Sequence, residues 1–162
     1  KDAIKRDFSG SVQKDMLEIT GTLYDLSNVY NAFRYKAFSG ADYEEISNIL
    51  FPVPSNITKF RFYELMNTNT AEEYIDILKN TGYGRMMTVD NPDISRASIN
   101  HDIEVLRNRF AKNYLRKSTN AAVSIYTILF LLTTEVKNII TIIEGIRYGV
   151  PAQSIEEMLV IV

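Results

Sequence analysis

Apolar residues recur at three- and four-residue steps along most of this chain, the spacing of helices that each bury one face. From Gln13 to Ala37, the positions Met16, Ile19, Leu23, Leu26, Tyr30 and Phe33 share a face, which predicts one long helix closed by Gly40. The pattern returns from Asp93, with Ile103, Leu106, Phe110 and Tyr114 on one side and Arg109, Lys112 and Arg116 roughly opposite. It predicts two more stretches, Asn120 to Leu132 and Thr134 to Tyr148, either separate or continuous.

Shorter helices announce themselves by their starts. Asp42-x-x-Glu45 and Thr70-x-x-Glu73 have the form of capping boxes, in which each side chain satisfies a backbone N–H of the first turn. Pro151 suits the first turn of another helix, where its missing N–H costs nothing. Pro52 and Pro54 interrupt the chain before a further helix over Ile57 to Met66. Thr81-Gly-Tyr-Gly84 closes the helix begun at Thr70, inside a loop expected from Asn80 to Pro92. Few alternating Val/Thr-rich runs leave material for a sheet, so the expected fold is all-α, with no sheet.

Composition narrows the functions open to such a fold. The 162 residues, 46% hydrophobic, suffice for one ordinary core. Eighteen basic against 20 acidic residues leave a net charge of −2, so no broad positive field gathers nucleic acid or anionic lipid. Cysteine is absent, which excludes disulfides and thiolate chemistry and fits a reducing compartment. The longest apolar run, Ala121 to Leu132, is interrupted by Ser124, Tyr126 and Thr127 and falls short of the roughly 18 residues of a membrane span. A buried helix is expected there. The start at Lys1, in a charged stretch with no signal-peptide core, points to a fragment of something longer.

Reactive chemistry finds little footing. His101 is the only histidine, so a metal site would need carboxylates at ligand spacing; a solvent-facing or loop-bracing role is expected instead. No phosphate-cradling Gly-x-x-x-x-Gly-Lys-Ser/Thr loop occurs. Glu44-Glu45, Glu72-Glu73 and Glu156-Glu157 are expected in first helical turns, where the helix dipole favours acids, rather than as acid/base pairs. Arg107, Arg109, Lys112, Arg116 and Lys117 form the one basic cluster, expected as a solvated outer face. No catalytic residue, cofactor or metal ligand is assigned.

A self-similarity stands out. Asp25-x-x-Asn28-Val29 matches Glu135-x-x-Asn138-Ile139 at an offset of 110, and Ile46 with Leu50 matches Ile155 with Leu159 at an offset of 109. One copy is thus anchored at about residues 13–50 and its equivalent at about 120–160, bridged by helices at about 55–117. Acid and amide three residues apart lie side by side on a helix, where a hydrogen bond between them is natural. The pairs either brace helix packing or contact a partner.

These residues resemble the C subunit of the archaeal and bacterial A-type (V-type) ATPases, the counterpart of the d subunit in eukaryotic V-ATPases. The similar features are the acid-x-x-Asn helix of Asp25 and Asn28 running through Arg34 to Leu50-Phe-Pro52; the acidic short helix ending in Thr81-Gly-Tyr83-Gly84; and the apolar helix entering Glu135-x-x-Asn138, then Gly145 and the Pro151-started helix. Glu144 and Ile146 stand where the family often has basic residues, whereas Arg34 and Lys36 keep positive charge. The resemblance implies three related helical units, of which this chain would hold the C-terminal portion.

It also implies a non-catalytic socket or spacer in a rotary ATPase. Such a part links the central stalk to the membrane ring of proteolipid subunits and passes torque between ATP synthesis or hydrolysis and proton or sodium transport. Its place would be the cytoplasmic face of the membrane, peripheral and held through protein contacts, with neither cofactor nor nucleic acid involved. A generic helical-repeat protein-binding module, or an enzyme hidden in the residues read as caps, are the alternatives.

Overall fold

A computed structural model describes residues 2–40, 42–50, 57–83 and 96–161. Among these there are eight helices and no strand: α1 (Asp2–Asp7), α2 (Gly10–Ser39), α3 (Tyr43–Ile49), α4 (Lys59–Met66), α5 (Ala71–Lys79), α6 (Arg96–Lys117), α7 (Ala121–Arg147) and α8 (Ala152–Met158). The all-α expectation therefore holds. Pro52 and Pro54, together with the loop from Gly84 to Pro92, lie outside the described residues.

The three long helices form the frame. α6 packs against both α2 and α7, α2 also touches α7, and the short helices attach to these. Apolar residues fill two clusters. In the larger one, Leu26, Val29 and Phe33 of α2 meet Ile46 of α3, Leu65 of α4, Tyr74, Ile75 and Leu78 of α5, and Ile99, Ile103 and Leu106 of α6. In the smaller one, Met16, Ile19 and Leu23 of α2 pack on Val123 of α7, with Phe110 and Tyr114 of α6 alongside. A single helical stripe on α2 thus serves both, as the 3–4 spacing requires.

The helix ends show which local signals operate. Gly40 caps α2 in the left-handed region at φ 63°, which costs a glycine nothing. Asp42 and Glu45 form the reciprocal capping box at α3. At α5 the box is only half made: Thr70 accepts from the Glu73 N–H at 3.2 Å, but the Glu73 carboxylate reaches past Thr70 to the Asn69 N–H at 2.7 Å. Pro151 stands one place outside the helix it starts, as the N-cap of α8.

That start places Glu156 and Glu157 in the second half of α8, not in its first turn, so the dipole account does not apply to them. The two late stretches are one continuous helix, α7, in which no proline or glycine falls between Leu132 and Thr134. His101 sits half-buried on α6 rather than on a loop or in open solvent.

The largest departure concerns α7. Expected to be buried from Ala121 to Leu132, it instead exposes Ile125, Ile128, Leu129 and Leu132 there and Val136, Ile139, Ile140, Ile143 and Ile146 beyond, each between 44% and 69% accessible. Only Val123, Thr127, Thr134, Asn138 and Gly145 are buried, on the side of α7 that meets α2, α6 and α8. Among the described residues α7 is the one helix long and apolar enough to cross a membrane.

Candidate functional site

α2 carries Asp25, Asn28 and Arg34 toward different surroundings. Asp25 is 2% exposed and Asn28 6% exposed, both inside the helical frame. A buried carboxylate requires a donor, and the Tyr83 hydroxyl supplies one, donating to Asp25 Oδ2 at 2.8 Å. Tyr83 reaches it because α5 ends in a tight turn: Asn80 and Thr81 donate backbone N–H groups to Ile77 and Leu78, and the Thr81 hydroxyl donates to the Leu78 carbonyl at 2.6 Å. Thr81 and Tyr83 are thereby turned into the core, at 7% and 6% exposure. Gly84, the last residue of that motif, lies outside the described residues.

A second tyrosine, which sequence patterning did not single out, also ties α5 to α2. Tyr74 of α5 is 1% exposed, meets Phe33 edge-on at 5.1 Å between centroids, and donates its hydroxyl to the Val29 carbonyl at 2.7 Å. Burial drives its acidity far below that of an ordinary phenol. Its position at a buried step of α5, opposite the apolar stripe of α2, was the available signal.

Further along α2 the two basic residues part ways. Arg34 is exposed, with its guanidinium 5.3 Å from the Tyr35 ring centroid. Lys36 turns inward and donates to the Met66 carbonyl, tying α2 to the end of α4. Desolvation lowers its pKa, and Glu73 opposes the shift.

On α7 the corresponding residues do different work. Asn138 clamps the chain beyond α8: its amide donates to the Val160 carbonyl at 3.1 Å and its carbonyl oxygen accepts from the Val160 N–H at 3.0 Å. Glu135 is exposed, and the acid–amide bond expected within this pair is not among the bonds Asn138 makes. Both polar ends of Asn138 are instead engaged by the Val160 backbone. Gly145 is buried against α8, where an added Cβ would stand 2.7 Å from Ile155 Cγ1 and Cδ1; glycine is needed for the close approach, not for its dihedral freedom.

The expected basic face on α6 also resolves into separate contacts. Arg107 pairs with Glu104 at 2.8 Å and lies over Phe130 of α7 at 5.0 Å, while Lys137 approaches Glu104 at 3.6 Å. Arg109 and Lys112 are half-buried, and only Arg116 and Lys117 are exposed. Arg107 and Glu104 thus join α6 to α7, while Arg116 and Lys117 keep the solvated face expected of them. A cleft of about 400 Å³ between α2 and α6, lined by Asp15, Glu18, Phe110 and Tyr114, contains none of the motif residues.

The motif residues thus gather in two places, around Asp25 and along the α7–α8 junction, with Arg34 and Glu135 on the surface. Together they define a helical protein whose distinctive buried polar groups lock long helices to short ones. Its family follows from comparison: residues 2–158 match the ATP synthase (C/AC39) subunit family, and the chain belongs to it. It is also 28% identical over 144 residues to the C subunit of the A-type ATP synthase of Methanothermobacter thermautotrophicus, a match covering 86% of this chain and 37% of that protein. The chain therefore spans little more than a third of the length of that relative. No solved structure matches.

Proposed function

We propose that this chain forms part of the non-catalytic socket that couples the central stalk of a rotary ATPase to its proteolipid ring. The observation that carries it is the family match across residues 2–158, supported by the likeness to the C subunit of an A-type ATP synthase. The fold suits the task. At about 1.5 Å per residue, α2 is a rod of about 45 Å, and α6 and α7 run beside it. Torque is transmitted by dense side-chain packing that resists compression, which the clusters on α2 supply.

In this role the protein catalyses nothing and lies peripherally at the cytoplasmic face, held by protein contacts on both sides. Asp25, Asn28, Thr81, Tyr83, Asn138 and Gly145 act as internal braces, with Gly84 completing the Thr81 motif. Arg34 and Glu135, both exposed, are the motif residues open to partners. Coupled transport would be of protons or sodium ions.

The test is binding of the complete polypeptide to the isolated central stalk and to the detergent-solubilised rotor ring, by co-sedimentation. Binding to both is expected, with Arg34→Glu weakening one of the two. Binding to neither would return the chain to the class of general helical protein-binding modules.

A further inference from the structure

Spacing along two helices builds the cleft between them. Asp15 and Glu18 lie one turn apart on α2, and Phe110, Asn113, Tyr114 and Lys117 follow the three- and four-residue steps of one face of α6. The space they border is about 400 Å³, within the roughly 300–1,000 Å³ of small-molecule pockets. None of these residues belongs to the motifs shared with the family.

The α6 side is aromatic. The Phe110 and Tyr114 centroids are 5.5 Å apart with the rings tilted by 44°, and both side chains pack on the cluster of Met16, Ile19 and Val123, which fixes their positions. Both are only half-buried, so part of each ring faces the cleft. The α2 side carries charge. Asp15 is half-buried, and its Oδ2 accepts from the Asn120 side-chain amide, which holds the carboxylate at the start of α7. Glu18 is exposed and accepts from the Tyr114 hydroxyl. That phenol registers the local field: burial, Glu18 and Asp15 together make it harder to ionise. Lys117 is the cation among the lining residues, exposed in the last turn of α6. Two carboxylates against one ammonium leave one negative charge unanswered.

We propose that this cleft binds a small monocationic amine, its ammonium held by Asp15 and Glu18 and its apolar body lying on the Phe110 and Tyr114 rings. Each feature selects that chemistry. The unanswered negative charge disfavours anions. An ammonium near an aromatic face gains from the ring quadrupole, and gains more where water is partly excluded. A bare metal ion fits less well. The rings give it no oxygen ligands, and no group of three or more acidic or histidine side chains able to hold a metal occurs among the described residues.

The test uses the complete polypeptide at neutral pH and fixed ionic strength, with two probes of equal shape, benzylamine and benzyl alcohol. Calorimetry should show saturable one-to-one binding of benzylamine, with a dissociation constant of about 1 mM or tighter, and binding of the alcohol weaker by about tenfold. Because Glu18 is exposed, Glu18→Gln should keep the melting temperature while weakening benzylamine by about tenfold. Phe110→Leu keeps an apolar side chain and should also weaken it. Nuclear magnetic resonance of the aromatic rings should show Phe110 and Tyr114 shifting as the amine is added. Absence of saturable binding would overturn the proposal, as would equal affinity for amine and alcohol or for the unmodified chain and Glu18→Gln. Shifts confined to other aromatic residues would place the amine elsewhere and equally overturn it.

Discussion

Tyr83 and Asp25 show how one hydroxyl sets the role of a buried acid. The carboxylate is 2% exposed and accepts from the tyrosine at 2.8 Å. Tyr83→Phe removes that donor without changing shape, and a loss of about 1–3 kcal/mol is expected, read as a lower urea midpoint at unchanged slope. At Asp102, burial raises the carboxyl pKa while His101 pulls it back. A carboxyl raised by folding binds its proton more tightly in the native state. Its contribution is therefore fully present below its unfolded pKa of about 4 and is lost as pH rises through its folded value. Asp102→Asn should accordingly raise the melting temperature at pH 7 by a few degrees at most. The advantage should vanish below about pH 4, which calorimetry across pH would show.

Among the elements, α8 is held in place by α7. Its dock on α7 consists of Ile155 against Gly145 and the two bonds from Asn138 to Val160. Asn138→Ala removes both bonds and is expected to cost about 1–3 kcal/mol. Amide exchange should accelerate first in α8 and the residues after it, while α3 keeps its protection. An unchanged melting temperature with loss of stalk binding would instead make Asn138 an interface residue. The start of α3 was legible in its sequence because Asp42 and Glu45 cap it locally. At α5 the same spacing yielded a different bond, since the Glu73 side chain had a second N–H within reach at Asn69.

Across the whole molecule, the two similar apolar stripes carry unequal weight. Leu26→Ala opens a cavity under α4 to α6 and should cost about 2–5 kcal/mol. Leu132→Ala on the outer face of α7 should change the stability of the 162-residue chain by no more than about 0.5 kcal/mol. Denaturation of the two variants side by side checks the contrast. A large loss from Leu132→Ala would mean that the short chain already covers α7, for instance by pairing with itself.

What the sequence determined alone is what depends on neighbours a few residues away. The helices follow from apolar spacing, their ends from Gly40 and Asp42, and the family from the order of short motifs around Asn28, Tyr83 and Asn138. The helical fold and the family were both readable from these local patterns. Partners across the fold were not. An apolar stripe reports that a face needs burial but not what buries it, so α7 read as a buried helix although its outer side stands open. Likewise an acid and an amide three residues apart can bond each other. Only the tertiary structure decided that Asp25 takes Tyr83 and Asn138 takes Val160, because each is satisfied by the group that packing brings nearest.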